Sequence, residues 1–386
     1  MRYIRFSSAA VAAATISVCA AGVPAAAGDD SSTPVPCYTA ALSNAISGAS
    51  AGDILSLARN CTYHLTSALP DIVQPFTIRG NGATIVRDGN ATPAFRIFHV
   101  VSTGNGSFRL ENLSVRGGNA AGTTSATGNG GGILVDNGAK LALVGVDVID
   151  NTARVNGGGV AVSTGATATI RRSWVAFDNA LSGGGVFSQG RLTLENSEVG
   201  RNHAQTLGGG ILQDGSFAFV HASIISRNTA NLGGGGISNS GGAQTTIIES
   251  KISNNTTPGL AGGGILNAGA GSRVTLEKSE VSGNVVGGPG GAGGGINNSG
   301  TTTTAVVLNG SKVIRNSANG PGSAVAGGIY NNNGSLALDH SYVRDNASTT
   351  APGGLRTNVP ITLTASAITH NIPTNCVPFP IPGCTN

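Results

Sequence analysis

Arg171, Arg172, Trp174, Glu195, Glu198, Arg201, His221 and Arg227 are the densest gathering of chemically capable side chains in this 386-residue sequence, and Trp174 is its only Trp. A flat indole beside guanidinium groups and carboxylates suits sugar rings, through ring stacking and charge-assisted hydrogen bonds. Arg171, Arg172, Trp174 and Arg201 are therefore the candidate ligand contacts. Glu195, Glu198, His221 and Arg227 are the candidates for catalysis. Two carboxylates can share the acid and base roles of glycoside cleavage when they stand roughly 5–10 Å apart. The same residues also read as a solvated face crossed by ion pairs, each contributing little. A solvated or sugar-binding face is favoured over catalysis.

These residues share one face only if the chain repeats. Gly-Gly-Gly-Ile occurs at Gly130–Ile133 and Gly-Gly-Gly-Val at Gly157–Val160. The triplet returns before Val186, Ile211, Ile237, Ile265 and Ile296. It weakens around Ile329 and Leu355, and the spacings are 27, 26, 25, 26, 28, 31, 33 and 26 residues. A period in that range denotes stacked repeats. In register with the glycines run Asn151, Asp178, Asn202, Asn228, Asn255, Asn284, Asn316, Asn346 and Asn371. A Ser series from Ser173 to Ser366 and an aliphatic series from Val148 to Ile368 keep the same step. Coils stacked at strand separation, about 4.8 Å, turn such series into ladders. A stacked Asn amide can donate to one neighbouring coil and accept from the other. Glycine permits both a left-handed turn and close approach of coils. No helix-opening Gly-x-x-x-x-Gly-Lys-Ser/Thr exists, so the triplets are not phosphate loops. Insertions fall between the Asn corner and the next triplet, as at 285–292 and 318–326, and such an edge often binds ligands.

Gly contributes 61 residues, and only 10% of the chain is charged. The fixed offsets of aliphatic residues exclude a flexible linker. Residues 1–27 read as a secretory signal, with Arg2 and Arg5 at its start and Ala25-Ala26-Ala27 at its end. Residues 28–36 read as a linker, 37–98 as a cap plus first coils, 99–371 as the repeats and 372–386 as a tail. Ala41, Leu42, Ala45, Ile46 and Ala49 predict a capping helix that Gly52 stops, followed by strands at 54–57, 63–65, 76–78, 84–86 and 95–100. A solenoid end carries unpaired backbone groups and needs such a cover. Cys37, Cys61, Cys376 and Cys384 form one local pair at each end, read as two disulfides in an exported chain. Removing Arg2 and Arg5 from 22 basic residues leaves an excess of about two over 18 acidic ones, which argues against nucleic acid or an anionic membrane. No later apolar run is long enough to span a membrane.

Gly-Gly-Gly-Ile with Val/Ile-x-x-Asn resembles the repeat of polymorphic outer-membrane-protein-type β-helices, where Gly-Gly-Ala-Ile and Phe-x-x-Asn alternate. The front end, in Pro36-Cys37 to Ile46, Gly52-Asp53-Ile54, Asn60-Cys61-Thr62-Tyr63 and Thr77 to Ile85, is similar to caps of secreted bacterial β-helix proteins. The wider group is the pectate-lyase-like superfamily. The resemblance spans about residues 36–384 and implies an all-β, right-handed parallel β-helix (a β-solenoid) with a short N-terminal capping helix. It leaves function open, because the group holds lyases, hydrolases and adhesins. The hydrolase motifs Asn-Thr-Asp, Gly-His-Gly and Arg-Ile-Lys are absent, and Asp29-Asp30 falls in the linker. No Asp cluster of the kind that holds Ca²⁺ in the lyases is visible. The expectation is therefore a secreted monomer that binds polysaccharide or cell-surface glycan, or serves as an adhesin-like scaffold, with no metal and no cofactor. A polysaccharide lyase or glycoside hydrolase is the alternative.

Overall fold

The computed structural model describes residues 32–377, 381, 383 and 384. The segment read as a signal peptide lies outside the described residues. The rest is a parallel β-solenoid of about 12 turns, wound right-handed as parallel crossovers are. Among the described residues it is built of three parallel sheets, with 23, 9 and 11 strands.

One coil shows how the sequence makes a turn. Gly208-Gly209-Gly210 leads into Ile211–Asp214 on the 11-stranded sheet. Phe217–His221 and Ile224–Ser226 follow on the 23-stranded sheet, and Thr229–Ala230 completes the coil on the 9-stranded sheet. This coil carries four strands, because the long side bends at Ser223. The residue before each Ser takes a left-handed conformation, as Arg172, Asn196, Ala222, Glu249 and Lys278 do. The next corner repeats the device, with Phe177, Arg201 and Arg227 at positive φ before Asp178, Asn202 and Asn228. In this coil the third corner is the one built from a glycine triplet. Gly208 has φ +67°, while a Cβ on Gly209 would meet the Gly235 carbonyl oxygen at 2.4 Å. The first glycine of a triplet thus turns the chain, and the second lets adjacent coils touch.

The expected ladders are present. Val148, Val175, Val199, Ile225, Ile252 and Val281 are fully buried in one continuous core. Asn228 donates through Nδ2 to the Val199 carbonyl and to Asn255 Oδ1. Its own Oδ1 accepts from the backbone N–H and the Nδ2 of Asn202. Ser223 Oγ accepts from the Ser197 N–H, and Ser250 Oγ from the Ser223 N–H. Asp178 is the irregular rung. Its Oδ1 accepts two bonds from Asn151, but Oδ2 stands without a partner among the described residues. Full burial drives its carboxyl well above the ordinary range, against the two Asn151 bonds that lower it.

The front coils are less regular. The helix spans Thr39–Gly48 and buries Leu42 and Ile46. Thr33–Val35, inside the stretch read as linker, is a strand paired with Leu55–Leu57. The pieces expected at 76–78 and 84–86 are one strand, Thr77–Arg87, with a register shift between Arg79 and Ala83. The strand expected over 95–100 begins only at Phe98. Both disulfides form as read, Cys37–Cys61 and Cys376–Cys384. Among the described residues, no helix is long and apolar enough to cross a membrane.

Candidate functional site

Strand register decides which of the eight candidate side chains meet. Arg171, Glu195 and His221 are consecutive partners on one outward ladder of the long sheet. Trp174, Glu198 and Ile224 form the next ladder, beyond the bend. Arg172 sits on the bend itself, and Arg201 and Arg227 occupy the following corner. The eight residues are thus spread over two ladders and two corners of the outer surface.

Most of the charged groups on this surface are already engaged. Arg171 Nε lies 2.8 Å from Glu195 Oε2. His221 Nε2 is 3.7 Å from Glu249 Oε2. Glu198 Oε1 accepts from Ser226 Oγ at 3.2 Å. A little farther along, Lys251 Nζ meets Glu280 Oε1 at 2.8 Å. Burial acts to raise the Glu280 carboxyl, but hydrogen bonds from Lys251 and Ser282, with the charges of Lys251 and Lys312, bring it below its ordinary value.

The aromatic residues on this face were only partly foreseen. Trp174 packs edge-on against Phe177, with ring centroids 5.5 Å apart, and the indole Nε1 has no partner among the described residues. The Arg201 guanidinium lies over Phe177 at 5.5 Å. Two coils on, Phe217 is 51% and Phe219 37% exposed. Arg191 lies over Phe217 at 5.2 Å, and Phe219 stacks on His221. The alternation in Phe217-Ala218-Phe219-Val220 could have revealed them, since strand period two sends Phe217 and Phe219 outward when Ala218 and Val220 are buried.

A second gathering of titratable groups lies in the front coils, and no sequence motif announces it. His99 Nδ1 is 2.9 Å from Asp71 Oδ1, and Nε2 is 2.9 Å from Asp136 Oδ2. Each ring nitrogen of His99 therefore faces a carboxylate oxygen. Beside it opens a cavity of about 470 Å³ whose wall includes Asp71, Phe95, Arg96, His99 and Thr127. Arg96 is half-buried and donates from one terminal nitrogen to the Ala126 carbonyl at 2.7 Å. Its Nε has no partner among the described residues. Burial lowers the guanidinium below its ordinary value, and the charges of Asp136 and Asp71 act the other way. Asp71 and Asp136 are 28 and 37 residues from His99. Only parallel stacking unites them: Ile72 bridges to Val100, and His99 pairs with Leu134. Among the described residues, no group of three or more His, Cys, Asp or Glu could hold a metal ion.

No protein-family model matches the chain, and no curated protein matches it in sequence. Among solved structures, a mutant of the periplasmic alginate epimerase AlgG aligns with a TM-score of 0.42 and 12% identity, over 81% of this chain and 76% of that one.

Proposed function

We propose that the protein is an exported β-helix that binds polysaccharide along the outer face of its long sheet, around Trp174, Phe177, Phe217 and Phe219. The observation that carries this reading is the set of exposed rings Phe177, Phe217 and Phe219, with half-buried Trp174 against Phe177 and guanidinium groups laid over two of the rings. Clustered exposed apolar side chains rimmed by polar ones mark interaction surfaces. Arg171, Arg172 and Arg201 supply donors beside them. Export is supported by the two disulfides, which persist in oxidising compartments.

The test is polysaccharide binding to the full chain, by glycan array and then by titration with the polymers that respond. A Trp174→Ala/Phe177→Ala double variant is expected to weaken binding roughly tenfold, on the order of 1 kcal/mol for stacked rings. Binding that is unchanged in the double variant, or absent from the array altogether, removes this reading.

A further inference from the structure

We propose that Asp178 is a proton-operated latch under the aromatic cluster of the outer face: with its carboxyl protonated it locks the corner that carries Phe177, and when the proton leaves, Trp174, Phe177 and Arg201 come apart. That this alters ligand affinity rests on the function proposed above; the latch itself does not.

The argument begins with the ladder around it. From Asn202 to Asn346, each Nδ2 donates to a carbonyl of the preceding coil and to the Oδ1 of the next rung. At Asp178, Oδ1 accepts from Asn151 as the Asn oxygens do, so Oδ2 stands where the others carry an amino group. The equivalent positions ahead of it are acceptors, Asn202 Oδ1 and the Val148 carbonyl. An acid O–H supplies the missing donor, whereas a carboxylate sets oxygen against oxygen. Gly159 closes the space beside it, since a Cβ there would meet Oδ2 at 2.5 Å. Full burial holds the carboxyl well above its ordinary value, and the charge of Asp150 raises it further. Asp150 is itself paired with Arg116. The other groups packed around the rung are the amides of Asn151 and Asn202, with the Arg201 guanidinium over Phe177 and His203 beside Asn179 farther out.

The latch lies directly beneath the cluster. Phe177 precedes Asp178 and has φ +59°, a conformation that a bulky residue keeps only when its surroundings hold it. The holding bonds are those of Asp178. Its N–H donates to Asn202 Oδ1 at 2.9 Å, and its Oδ1 accepts from the backbone and side chain of Asn151. The Phe177 ring in turn meets the Trp174 edge and the Arg201 guanidinium. A carboxylate formed here is buried with no donor for Oδ2, which is costly, and local opening of the corner to water relieves that cost. The chemical step is transfer of the Oδ2 proton to water.

Trp174 is the only Trp in the chain, so its emission reports on the cluster directly. As pH rises from about 4 to about 9, the span across which buried carboxyls titrate, the emission of the full chain is expected to move to longer wavelength and to become easier to quench with acrylamide. Asp178→Asn keeps a donor at every pH and is expected to abolish the transition. Asp147→Asn is expected to preserve it; Asp147 neighbours Trp174 on its ladder, and burial raises its carboxyl too. Hydrogen exchange needs no variant. Amide protection at 174–179, corrected for the intrinsic effect of pH, is expected to fall through the same transition while the equivalent corner at 198–203 keeps its protection. A flat emission profile, a transition that survives in folded Asp178→Asn or vanishes in Asp147→Asn, or equal loss of protection at both corners would each overturn the latch. With a polysaccharide that binds, affinity is expected to fall through the transition by up to the roughly tenfold set for Trp174→Ala/Phe177→Ala. Affinity that holds through the transition would refute its control of binding. Emission that responds while no polysaccharide binds supports the latch and removes only the ligand reading.

Discussion

From Asn202 to Asn371 the buried side-chain amides are joined rung to rung, and each Asn oxygen accepts from the coil before it. Before Gly130 the polar groups behave otherwise. His99 is shared by two aspartates, and Arg96, in a cavity wall, keeps a buried Nε–H without a partner among the described residues. The difference follows from regularity. Where every coil repeats the same corner, each polar side chain finds its equivalent about 4.8 Å away and becomes part of the scaffold. Where a loop is inserted, stacking stops, space opens and polar groups remain available. The outer sheet face lies between these cases, being regular in backbone but varied in side chain.

The largest effect should come from breaking the regular part. Asn228→Ala removes two donated bonds and two accepted ones in a fully buried setting, at a cost of roughly 3–5 kcal/mol. Thermal melting should show a fall of many degrees. A loss under about 1 kcal/mol, the net worth of one ordinary hydrogen bond, would mean that the ladder ornaments a fold held by its core alone.

A smaller change of opposite sign is expected at the irregular rung. Asp178→Asn restores the missing donor and should stabilise the protein at neutral pH by about 1–3 kcal/mol. Asp178 has its folded-state value raised, so the folded protein holds this proton at pH values where the unfolded chain has released it. Stability therefore falls as pH rises above the ordinary carboxyl range, and the advantage of the Asn variant should vanish in acid. Melting curves at several pH values check this; a gain that does not depend on pH would refute the role given to the carboxyl.

The smallest effect is expected on the outer face. Lys251→Met breaks the contact with Glu280 and should cost under about 1 kcal/mol, less in high salt. Denaturant unfolding at two salt concentrations would show it. A larger loss would mean that these cross-coil pairs act together as a network.

Much of the scaffold was legible beforehand because its causes are periodic. The Ser, Asn and aliphatic series stand at constant offsets, so stacking follows from spacing alone, and the cysteine pairs were local enough to read directly. The candidate face was legible in part. Arg171, Trp174, Glu195 and His221 do share a surface, but the bend before each Ser splits them between ladders. That bend went unseen because residues such as Arg172 and Glu249, not glycine, adopt its left-handed conformation.

The amino-acid sequence by itself determined the solenoid and its ladders, because each depends on a repeat that can be counted along the chain. Only the tertiary structure decided that Asp71, Arg96, His99 and Asp136 meet. They come from different coils with no shared spacing, and they gather because one inserted loop interrupts the stacking and leaves a cavity beside them.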